Sequence, residues 1–258
     1  MKLICTLLVR DEIDIIKPWM DYHLKKFDEV IVTDNGSVDG TREALDKFPV
    51  TVIDEPGRDY QQSAWVGRMV DLAIEHGADW VINSDADEFW LGDYHGLIAR
   101  FPECNSLIIQ SKSYHATFDD PENEDPTRRL IYHSGINDEF KKTIFKADVF
   151  GEAYMGNHTF FLKDGIERVD KWIMPTDAVI NHYHERSWSH FRRKYIQGGE
   201  AYQNNYMHKD PRYGNTLGYH WKEKYRIYCK RGGIEALRRE WEKSIKDSRG
   251  LTREPLHG

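Results

Sequence analysis

The sequence predicts an α/β fold, in which a mostly parallel central sheet is flanked by helices and followed by a helical, basic C-terminal region. Over the first hundred residues, short apolar runs alternate with amphipathic stretches, a cadence typical of parallel sheets covered on both faces. From residue 186 onward, 17 Lys and Arg stand against 8 Asp and Glu, although the whole chain has a formal net charge of −7. Helical periodicity returns in this basic region.

The alternation contains four predicted strands and three predicted helices. Pro18 is compatible with the first helix only if that helix begins close to it, because proline is tolerated in the first turn. The predicted strands cover residues 2–9, 29–33, 50–53 and 80–84, and the predicted helices cover residues 15–27, 41–48 and 61–75.

The regular cadence ends after residue 93. Residues 111–135 are polar and are expected to form a long loop with an acidic stretch. Further strands are expected at residues 106–110, 141–149 and 159–162, and further helices at residues 188–196 and 232–246.

Length and composition are typical of one globular domain with a helical appendage. No stretch reaches the roughly 20 apolar residues of a membrane-spanning helix, and the first apolar run is too short for a secretory signal. We therefore expect a cytoplasmic location, and we expect no nucleic-acid partner. The basic C-terminal region suits peripheral contact with a membrane or another anionic surface. Packing of that region against the acidic remainder of the chain explains the charge pattern equally well.

Polar residues follow each of the four predicted strands. The carboxyl ends of parallel strands meet at one edge of a sheet, which is where ligands bind in open α/β folds. We therefore expect a binding site at this edge. The polar segments are Arg10-Asp11-Glu12, Asp34-Asn35, Asp54-Glu55 and Asp85-Ala86-Asp87-Glu88.

The last of these segments contains the strongest candidate for a metal site. Asp85 and Asp87 alternate directly after an apolar run, and alternate residues of an extended segment point the same way. Two carboxylates so placed suit Mg²⁺ or Mn²⁺, which prefer oxygen ligands and usually also bind phosphate groups. The alternative is an acidic turn that caps the next helix.

Three segments of the chain together resemble the family 2 glycosyltransferases of the GT-A fold. They are residues 3–9, residues 30–41 (VIVTDNGSVDGT) and residues 78–89 (ADWVINSDADEF), and the DxDEF form resembles a divergent branch of that group. The resemblance implies transfer of a sugar from a nucleotide-sugar donor, most often a UDP-sugar, to a hydroxyl acceptor such as a glycan. It also implies inversion at the anomeric carbon and dependence on Mn²⁺ or Mg²⁺.

The resemblance also implies roles for individual residues. Asp34 would bind the base, or it forms a turn, since Asp-Asn-Gly also suits a β-turn by itself. The end of the first strand, with Leu8, Val9 and Arg10, would line the base pocket. Arg68 would reach the donor diphosphate, or it is a charge on a helix surface. Asp85 would hold the ribose or a metal-bound water, and Asp87 would bind the metal directly.

A later histidine is a further candidate metal ligand. His182 follows an apolar, strand-like stretch at residues 178–180, and neutral imidazole is an acceptable ligand for Mn²⁺. His184 would face the same side if the chain is extended there. A hydrogen-bonded histidine without a metal is the alternative for both.

The catalytic base of the family is an Asp or Glu that deprotonates the acceptor hydroxyl, but its usual motif is not recognisable here. The candidates are Asp138, Glu139 and His158, with Glu152 and Asp164 behind them. Lys142 and Arg186 are candidates for phosphate contacts or are surface charges. An acceptor platform of aromatic residues is another expectation, with ordinary core packing as its alternative, and it involves Trp90, Tyr94, Tyr114, Trp172 and Tyr183.

On this interpretation residues 1–185 form the catalytic domain. Residues 1–93 are its nucleotide-sugar-binding half, residues 94–185 its acceptor half, and residues 186–258 the basic extension. A nucleotidyltransferase that makes a nucleotide-sugar shares the architecture but needs a Gly-rich basic loop after the first strand, which is missing here. A non-catalytic nucleotide- or carbohydrate-binding module remains a second alternative. A dinucleotide oxidoreductase is disfavoured because no GxGxxG follows the first strand.

Overall fold

The computed structural model describes residues 1–57, 61–154, 157–204, 219–230 and 232–256. The chain divides into two compact units. The first unit contains the site and comprises Met1–Pro56, Gln62–Ser113 and Gly135–His182. The second unit comprises Gly57–Gln61, Tyr114–Ser134 and Tyr183–Gly258.

The N-terminal part of the first unit alternates strands and helices as predicted up to residue 85, whereas a further strand at residues 88–92 and a helix at residues 94–100 were not predicted. Pro18 lies in the first turn of the first helix, the position that proline tolerates. The elements are β1 (Leu3–Val9), α1 (Ile16–His23), β2 (Glu29–Asp34), α2 (Thr41–Leu45), β3 (Thr51–Asp54), α3 (Gln62–Glu75), β4 (Trp80–Asp85), β5 (Glu88–Gly92) and α4 (Tyr94–Arg100).

The later elements build the rest of the sheet. They are β6 (Ser106–Tyr114), α5 (Pro126–Arg129), β7 (Tyr132–Lys146), β8 (Phe150–Ala153), β9 (Phe160–Leu162), β10 (Asp170–Trp172) and β11 (Ala178–His182). The strand order is β3-β2-β1-β4-β7-β6-β11-β5, and β10 pairs with β6. Strands β3, β2, β1 and β4 are parallel to one another, whereas β7 runs antiparallel to β4 and β5 antiparallel to β11. These elements confirm the predicted α/β fold with a mostly parallel central sheet.

The registers of the central strands bring the polar strand ends together. Val9 pairs with Asp34 on one side, and Leu8 pairs with Asp85 on the other. On the face beneath, α3 buries Val66, Met69, Val70 and Ala73 against the apolar residues of β1 and β4. Burial of this stripe removes apolar area from water and fixes the strands from which the site residues extend.

The structure corrects two expectations for residues 106–149. The predicted loop at residues 111–135 contains the end of β6, the one-turn helix α5 and the beginning of β7. Strand β7 therefore begins nine residues before the predicted strand at residue 141. The end of β6 and the beginning of β7 were not predicted because both stretches are rich in polar residues. They lack the continuous apolar run on which the sequence-based assignment of a strand depends.

The second unit is largely helical, as predicted for the C-terminal region. Its remaining elements are α6 (Trp188–Asn204), α7 (Tyr219–Lys230), α8 (Gly233–Ser244) and β12 (Thr252–Arg253), and β12 pairs with Tyr132 and His133. Phe191 and Tyr195 of α6 pack with Leu237 and Trp241 of α8 in a small apolar core. Within the described residues, no helix is long and apolar enough to cross a membrane.

Candidate functional site

The loops after β1 and β2 are joined by side chains that bond to main-chain groups. Val38 N–H donates to Asp11 Oδ1 (2.7 Å), and Asp11 N–H donates to Ser37 Oγ (2.8 Å). Ser37 N–H in turn donates to Asp34 Oδ1 (2.9 Å). Asp11 adopts a positive φ of 56°, a conformation that Asp tolerates better than most residues. These bonds join the loop of residues 10–12 to the loop of residues 34–41 at the sheet edge, and we call the joined loops the clasp.

The second half of the VIVTDNGSVDGT segment extends the same clasp. Asp39 Oδ1 accepts hydrogen bonds from the N–H (3.0 Å) and the hydroxyl (2.6 Å) of Thr41, the first residue of α2. Glu12 N–H then donates to Thr41 Oγ1 (2.8 Å). These polar side chains satisfy the loop and helix-start donors that would otherwise be left unbonded.

Asp34 has one carboxylate oxygen that the clasp does not use. Its side chain is buried, with the residue 3% exposed, and Oδ2 has no hydrogen-bond partner among the described residues. Arg10 Nε is also buried without a hydrogen-bond partner among the described residues. Arg10 Nη1, in contrast, donates to Asn35 Oδ1 (3.4 Å). A buried acceptor without a partner is costly, so Asp34 Oδ2 is suited to accept a hydrogen bond from a ligand.

The acidic segment after β4 is not extended, contrary to the prediction. Strand β4 ends at Asp85, Ala86 and Asp87 form a turn, and β5 begins at Glu88. The strand-like alternation proposed for Asp85 and Asp87 is therefore wrong, and the turn leads into a strand rather than a helix. Because of the turn, Asp85 and Asp87 contact different partners.

Lys142 of β7 lies between Asp85 and Glu88. Its Nζ is 2.7 Å from Asp85 Oδ2 and 3.2 Å from Glu88 Oε1, and the residue is 2% exposed. Burial alone would lower the pKa of Lys142, but the two carboxylates outweigh burial and raise it. Burial, opposed by the Lys142 ammonium, raises the pKa of Glu88 to about 7. The alternative that Lys142 is a surface charge is wrong.

Asp85 also has a partner for its second oxygen. Asn157 Nδ2 donates to Asp85 Oδ1 (3.3 Å). The next residue, His158, has its Nδ1 3.3 Å from the carbonyl of Lys141. Loss of hydration, assisted by the Lys142 ammonium, lowers the pKa of His158 to about 4. His158 is therefore neutral near pH 7, with the proton on the nitrogen that faces the Lys141 carbonyl.

Asp87 and His182 form the second pair of the acidic turn. Asp87 Oδ1 lies 3.5 Å from His182 Nε2, and Asp87 is buried. His182 is the last residue of β11 and pairs in register with Glu88 of β5, so the predicted strand-end position of His182 is confirmed. The Phe140 ring meets the His182 ring in a T-shaped arrangement at a centroid distance of 6.0 Å.

The spacing of this pair fits a divalent cation. Two adjacent ligands of an octahedral ion, each at about 2.1 Å, lie roughly 3 Å apart, close to the separation of Asp87 Oδ1 and His182 Nε2. Mg²⁺ commonly binds through one or two protein ligands and completes its shell with phosphate oxygens and water. No group of three or more His, Cys, Asp or Glu side chains suited to a metal occurs within the described ranges.

Helix α1 holds β5, the strand that follows the acidic turn. Trp19 Nε1 donates to the carbonyl of Glu88 (2.9 Å), and Trp90 N–H donates to His23 Nε2 (3.0 Å). His23 Nδ1 faces the carbonyl of Trp19 at 2.9 Å, so this nitrogen carries the proton of a neutral ring. Complete burial lowers the pKa of His23 to about 3, against the opposing effect of the Trp19 carbonyl.

The other predicted donor and catalytic residues lie as follows. Arg68 is on α3, half-exposed and ion-paired with Glu55. Val9, at the end of β1, is buried. Asp138 and Glu139 lie within β7, but their side chains are outside the part of the chain that the structure describes. Of the further base candidates, Glu152 lies in β8 and Asp164 in the turn after β9, both exposed.

Most of the predicted aromatic platform is core. Trp172 is the exception, 47% exposed, and Lys141 Nζ lies 4.5 Å from the centre of its ring. The four buried residues are Trp90, Tyr94, Tyr114 and Tyr183. Core packing, the alternative stated for each of them, is correct for these four.

In the second unit, His184 and Arg186 have local contacts. The His184 ring meets the His115 ring edge-on, with centroids 6.1 Å apart. Arg186 is buried and its Nη1 donates to the carbonyl of Tyr183 (3.4 Å), so it is not a surface charge.

The sequence analysis placed Glu88 in a polar segment at the site edge but gave it no role, and it missed Asn157 altogether. Glu88 had a usable signal, since a charged residue directly before the apolar Phe89-Trp90 pair must be either a strand end or a buried charge with a partner. Asn157 had none, because an isolated Asn in a polar stretch is typical of turns.

Comparison with known proteins places these residues in a family. The sequence model described as "Glycosyl transferase family 2" matches residues 20–164. No curated protein matches the sequence. Among solved structures, HddC from Yersinia pseudotuberculosis is similar at 14% identity and a TM-score of 0.41, over 67% of this chain and 90% of that one.

Two synthases are also similar, each over about half of its own length. Glucosyl-3-phosphoglycerate synthase from Mycobacterium tuberculosis, in complex with Mn²⁺, uridine-diphosphate and glucosyl-3-phosphoglycerate, shares 19% identity over 44% of each chain, with a TM-score of 0.31. Mannosyl-3-phosphoglycerate synthase from Rubrobacter xylanophilus shares 15% identity over 58% of this chain and 54% of that one, with a TM-score of 0.38.

The family match begins within α1 and ends just after β9, so it includes the VIVTDNGSVDGT clasp, the acidic turn and Lys142. It confirms the resemblance predicted from three short segments. Because the match spans more than half of the sequence, the chain belongs to glycosyl transferase family 2.

Proposed function

We propose that this protein is a metal-dependent glycosyltransferase that moves a sugar from a UDP-sugar to a hydroxyl acceptor, with inversion at the anomeric carbon. The observation that carries the proposal is the placement of Asp34 and the acidic turn. Asp34 pairs with Val9 and Asp85 with Leu8, so the two groups lie two strands apart at one sheet edge. That separation is on the order of 10 Å, a gap that a nucleoside diphosphate bridges with its ribose.

The base would bind in the clasp. Asp34 Oδ2 is a buried acceptor without a partner among the described residues, and uracil offers a ring N–H that can donate to it. Arg10 and Val9, at the end of β1, border the same pocket. A charge-assisted hydrogen bond to Asp34 would favour a base with a donor at that position over one without.

The diphosphate would bind beside the acidic turn. Asp87 and His182 would hold the divalent cation, which neutralises the diphosphate as it leaves the sugar. Asp85, held by Lys142 and Asn157, would face the ribose or a water of the ion. Arg68 would approach the diphosphate from α3 after release from its surface ion pair with Glu55.

Deprotonation of the acceptor hydroxyl would fall to Asp138, Glu139 or His158. His158 is neutral near pH 7, and its contact with the Lys141 carbonyl through Nδ1 leaves Nε2 to receive a proton. The acceptor itself, a glycan or another hydroxyl compound, would meet the exposed rings of Phe140 and Trp172, which are suited to stack on a sugar.

The experiment is a screen of nucleotide-sugars with Mn²⁺, measured by thermal shift and by release of nucleoside diphosphate. UDP-sugars should raise Tm and be hydrolysed slowly without acceptor. Asp34→Asn should reduce both effects. Asp54→Asn is the matched control, because Asp54 ends the neighbouring β3 but is exposed and paired with Arg42. Absence of binding by every nucleotide-sugar, or pyrophosphate formation from sugar phosphate and nucleoside triphosphate, would contradict the proposal.

A further inference from the structure

Asn157 is a buried residue beside the acidic turn, and one atom of its amide is not used by the described protein. The residue is 3% exposed, and its Nδ2 donates to Asp85 Oδ1 (3.3 Å). Asn157 Oδ1 is also buried, but it has no hydrogen-bond partner among the described residues. A buried amide oxygen without a partner is costly, so a ligand group that donates a hydrogen bond to this oxygen would gain affinity.

The orientation of this amide is set by its neighbours. If the amide were turned over, Oδ1 would face the Asp85 carboxylate, and two acceptors would lie against each other. The backbone of Asn157 has a φ of 58°, a left-handed conformation that Asn tolerates better than most residues. Asn157 N–H also donates to the carbonyl of Tyr154 (3.3 Å). Backbone and side chain are thus both held, and Oδ1 is an acceptor in a defined position.

Asn157 lies beyond the part of the sheet assigned to the nucleoside. In the strand order β2-β1-β4-β7, Asp34 ends the first strand and Asp85 ends the third. Asn157 lies between β8 and β9, in a segment bonded to the fourth strand, where Thr143 Oγ1 donates to the carbonyl of His158 (3.3 Å). A donor with its base at Asp34 and its ribose near Asp85 would therefore continue toward Asn157 with its diphosphate and sugar.

Of these two groups, the sugar has the chemistry that Asn157 Oδ1 requires. The oxygens of an ionised diphosphate are acceptors, so they do not match another acceptor. Each sugar hydroxyl carries a hydrogen that can be donated, as the hydroxyls of Ser and Thr do. His158, a candidate for the catalytic base, follows Asn157 directly in sequence, which would also bring the sugar close to this segment.

We infer that Asn157 Oδ1 accepts a hydrogen bond from one hydroxyl of the transferred sugar and so contributes to selection of the donor sugar. The inference rests on the proposed function, because it takes a nucleotide-sugar as the ligand of this sheet edge. A sugar that lacks the matching hydroxyl leaves the buried oxygen unpaired, and a site with an unpaired buried polar group discriminates strongly against such a ligand.

The test is calorimetric titration of wild type and Asn157→Gly, in the presence of Mn²⁺, with UDP and with UDP-glucose, UDP-galactose and UDP-N-acetylglucosamine. Glycine adopts a positive φ readily, so the variant should keep the turn and lose only the amide. The UDP-sugar that binds wild type most tightly should lose about 3- to 10-fold more affinity than UDP loses. Asn123→Gly, which removes an exposed amide bonded to Asp125 N–H, is the matched control and should change neither affinity.

An equal loss for UDP and the UDP-sugar would overturn the inference. That result is expected if Asn157 contacts the ribose or the ion, or if it only positions Asp85, because each of these roles affects both ligands. Failure of wild type to bind any of the four nucleotides would instead contradict the proposed function, and it would be evident before the variants are compared.

A second measurement identifies the hydroxyl. Analogues of the same UDP-sugar, each lacking one sugar hydroxyl, are titrated into both proteins. One analogue should bind wild type more weakly than its parent sugar does, and the same analogue should bind Asn157→Gly as tightly as its parent, since the partner of that hydroxyl is gone. If every affinity loss seen in wild type persists in the variant, Asn157 does not contact the sugar.

Discussion

His23 makes the stability of the fold sensitive to acid in a way that can be calculated. The ring is completely buried, accepts a hydrogen bond from Trp90 N–H through Nε2, and faces the Trp19 carbonyl through Nδ1. A second proton on Nε2 would abolish the bond to Trp90 and place a charge in the core. For this reason the pKa of His23 is about 3 in the folded protein, against 6.5 for an unperturbed histidine.

The sign of the effect follows from linkage between proton binding and unfolding. Below pH 6.5 the unfolded chain binds a proton at His23 that the folded chain does not, so the stabilising contribution is complete above 6.5 and is lost as pH falls toward 3. At about 1.4 kcal/mol per pH unit, acidification from about pH 7 to about pH 4 lowers the free energy of unfolding by about 3 kcal/mol through this residue.

The assay is urea unfolding of wild type and His23→Gln at both pH values. Glutamine does not titrate, so the stability difference between wild type and variant should shrink by about 3 kcal/mol between neutral and acid pH. His95→Gln, which changes a partly exposed histidine near Asp28, is measured alongside as the control for replacing a histidine by glutamine. A difference between wild type and His23→Gln that does not change with pH would refute the reasoning.

The remaining predictions concern the site and the sheet. Asp34→Asn should weaken UDP binding by about 1–3 kcal/mol, measured by calorimetry, because the ligand hydrogen bond loses its charge; equal affinity would remove Asp34 from the base pocket. His182→Ala should raise the Mn²⁺ concentration required for half-maximal activity more than His184→Ala does, and equal responses would separate His182 from the ion. Gly92→Ala should lower the free energy of unfolding by about 1–3 kcal/mol in urea titrations, because Gly92 has a φ of 132° and an added Cβ would lie 2.7 Å from that of Ala178; unchanged stability would mean that β5 and β11 separate at little cost.

The elements of the first 85 residues could be predicted from the sequence because each strand there is a continuous apolar run that ends in a polar turn. The sheet buries both faces of β1, β2 and β4, and such burial produces this pattern directly. The same cadence predicts that Asp34 and Asp85 lie at one edge of the sheet, because both follow parallel strands. The parallel registers at Val9 and Leu8 confirm that placement.

The interior of the site could not be predicted in the same way. Lys142 is 57 positions from Asp85 in sequence, and nothing local to residues 140–143 indicates which carboxylate it meets. The turn at Ala86-Asp87 was missed because an Asp-Ala-Asp segment is compatible with both a strand and a turn, and the antiparallel pairing of β5 with β11 decides between them. Long-range pairing of this kind overrides local propensity.

Because of the clasp, the presence of the VIVTDNGSVDGT segment in a sequence does not by itself indicate nucleotide binding. Of the polar side chains in the VIVTDNGSVDGT segment, Ser37, Asp39 and Thr41 bond to the protein's own main chain or to each other, and they stabilise two loops whether or not a nucleotide binds. Of the carboxylate oxygens of Asp34 and Asp39, only Asp34 Oδ2 is buried without a partner among the described residues. A relative that no longer binds a nucleotide-sugar could therefore carry Asn in place of Asp34, keep the bond from Ser37 N–H and still fold, so the residue at this one position is a better guide to nucleotide binding than the motif as a whole.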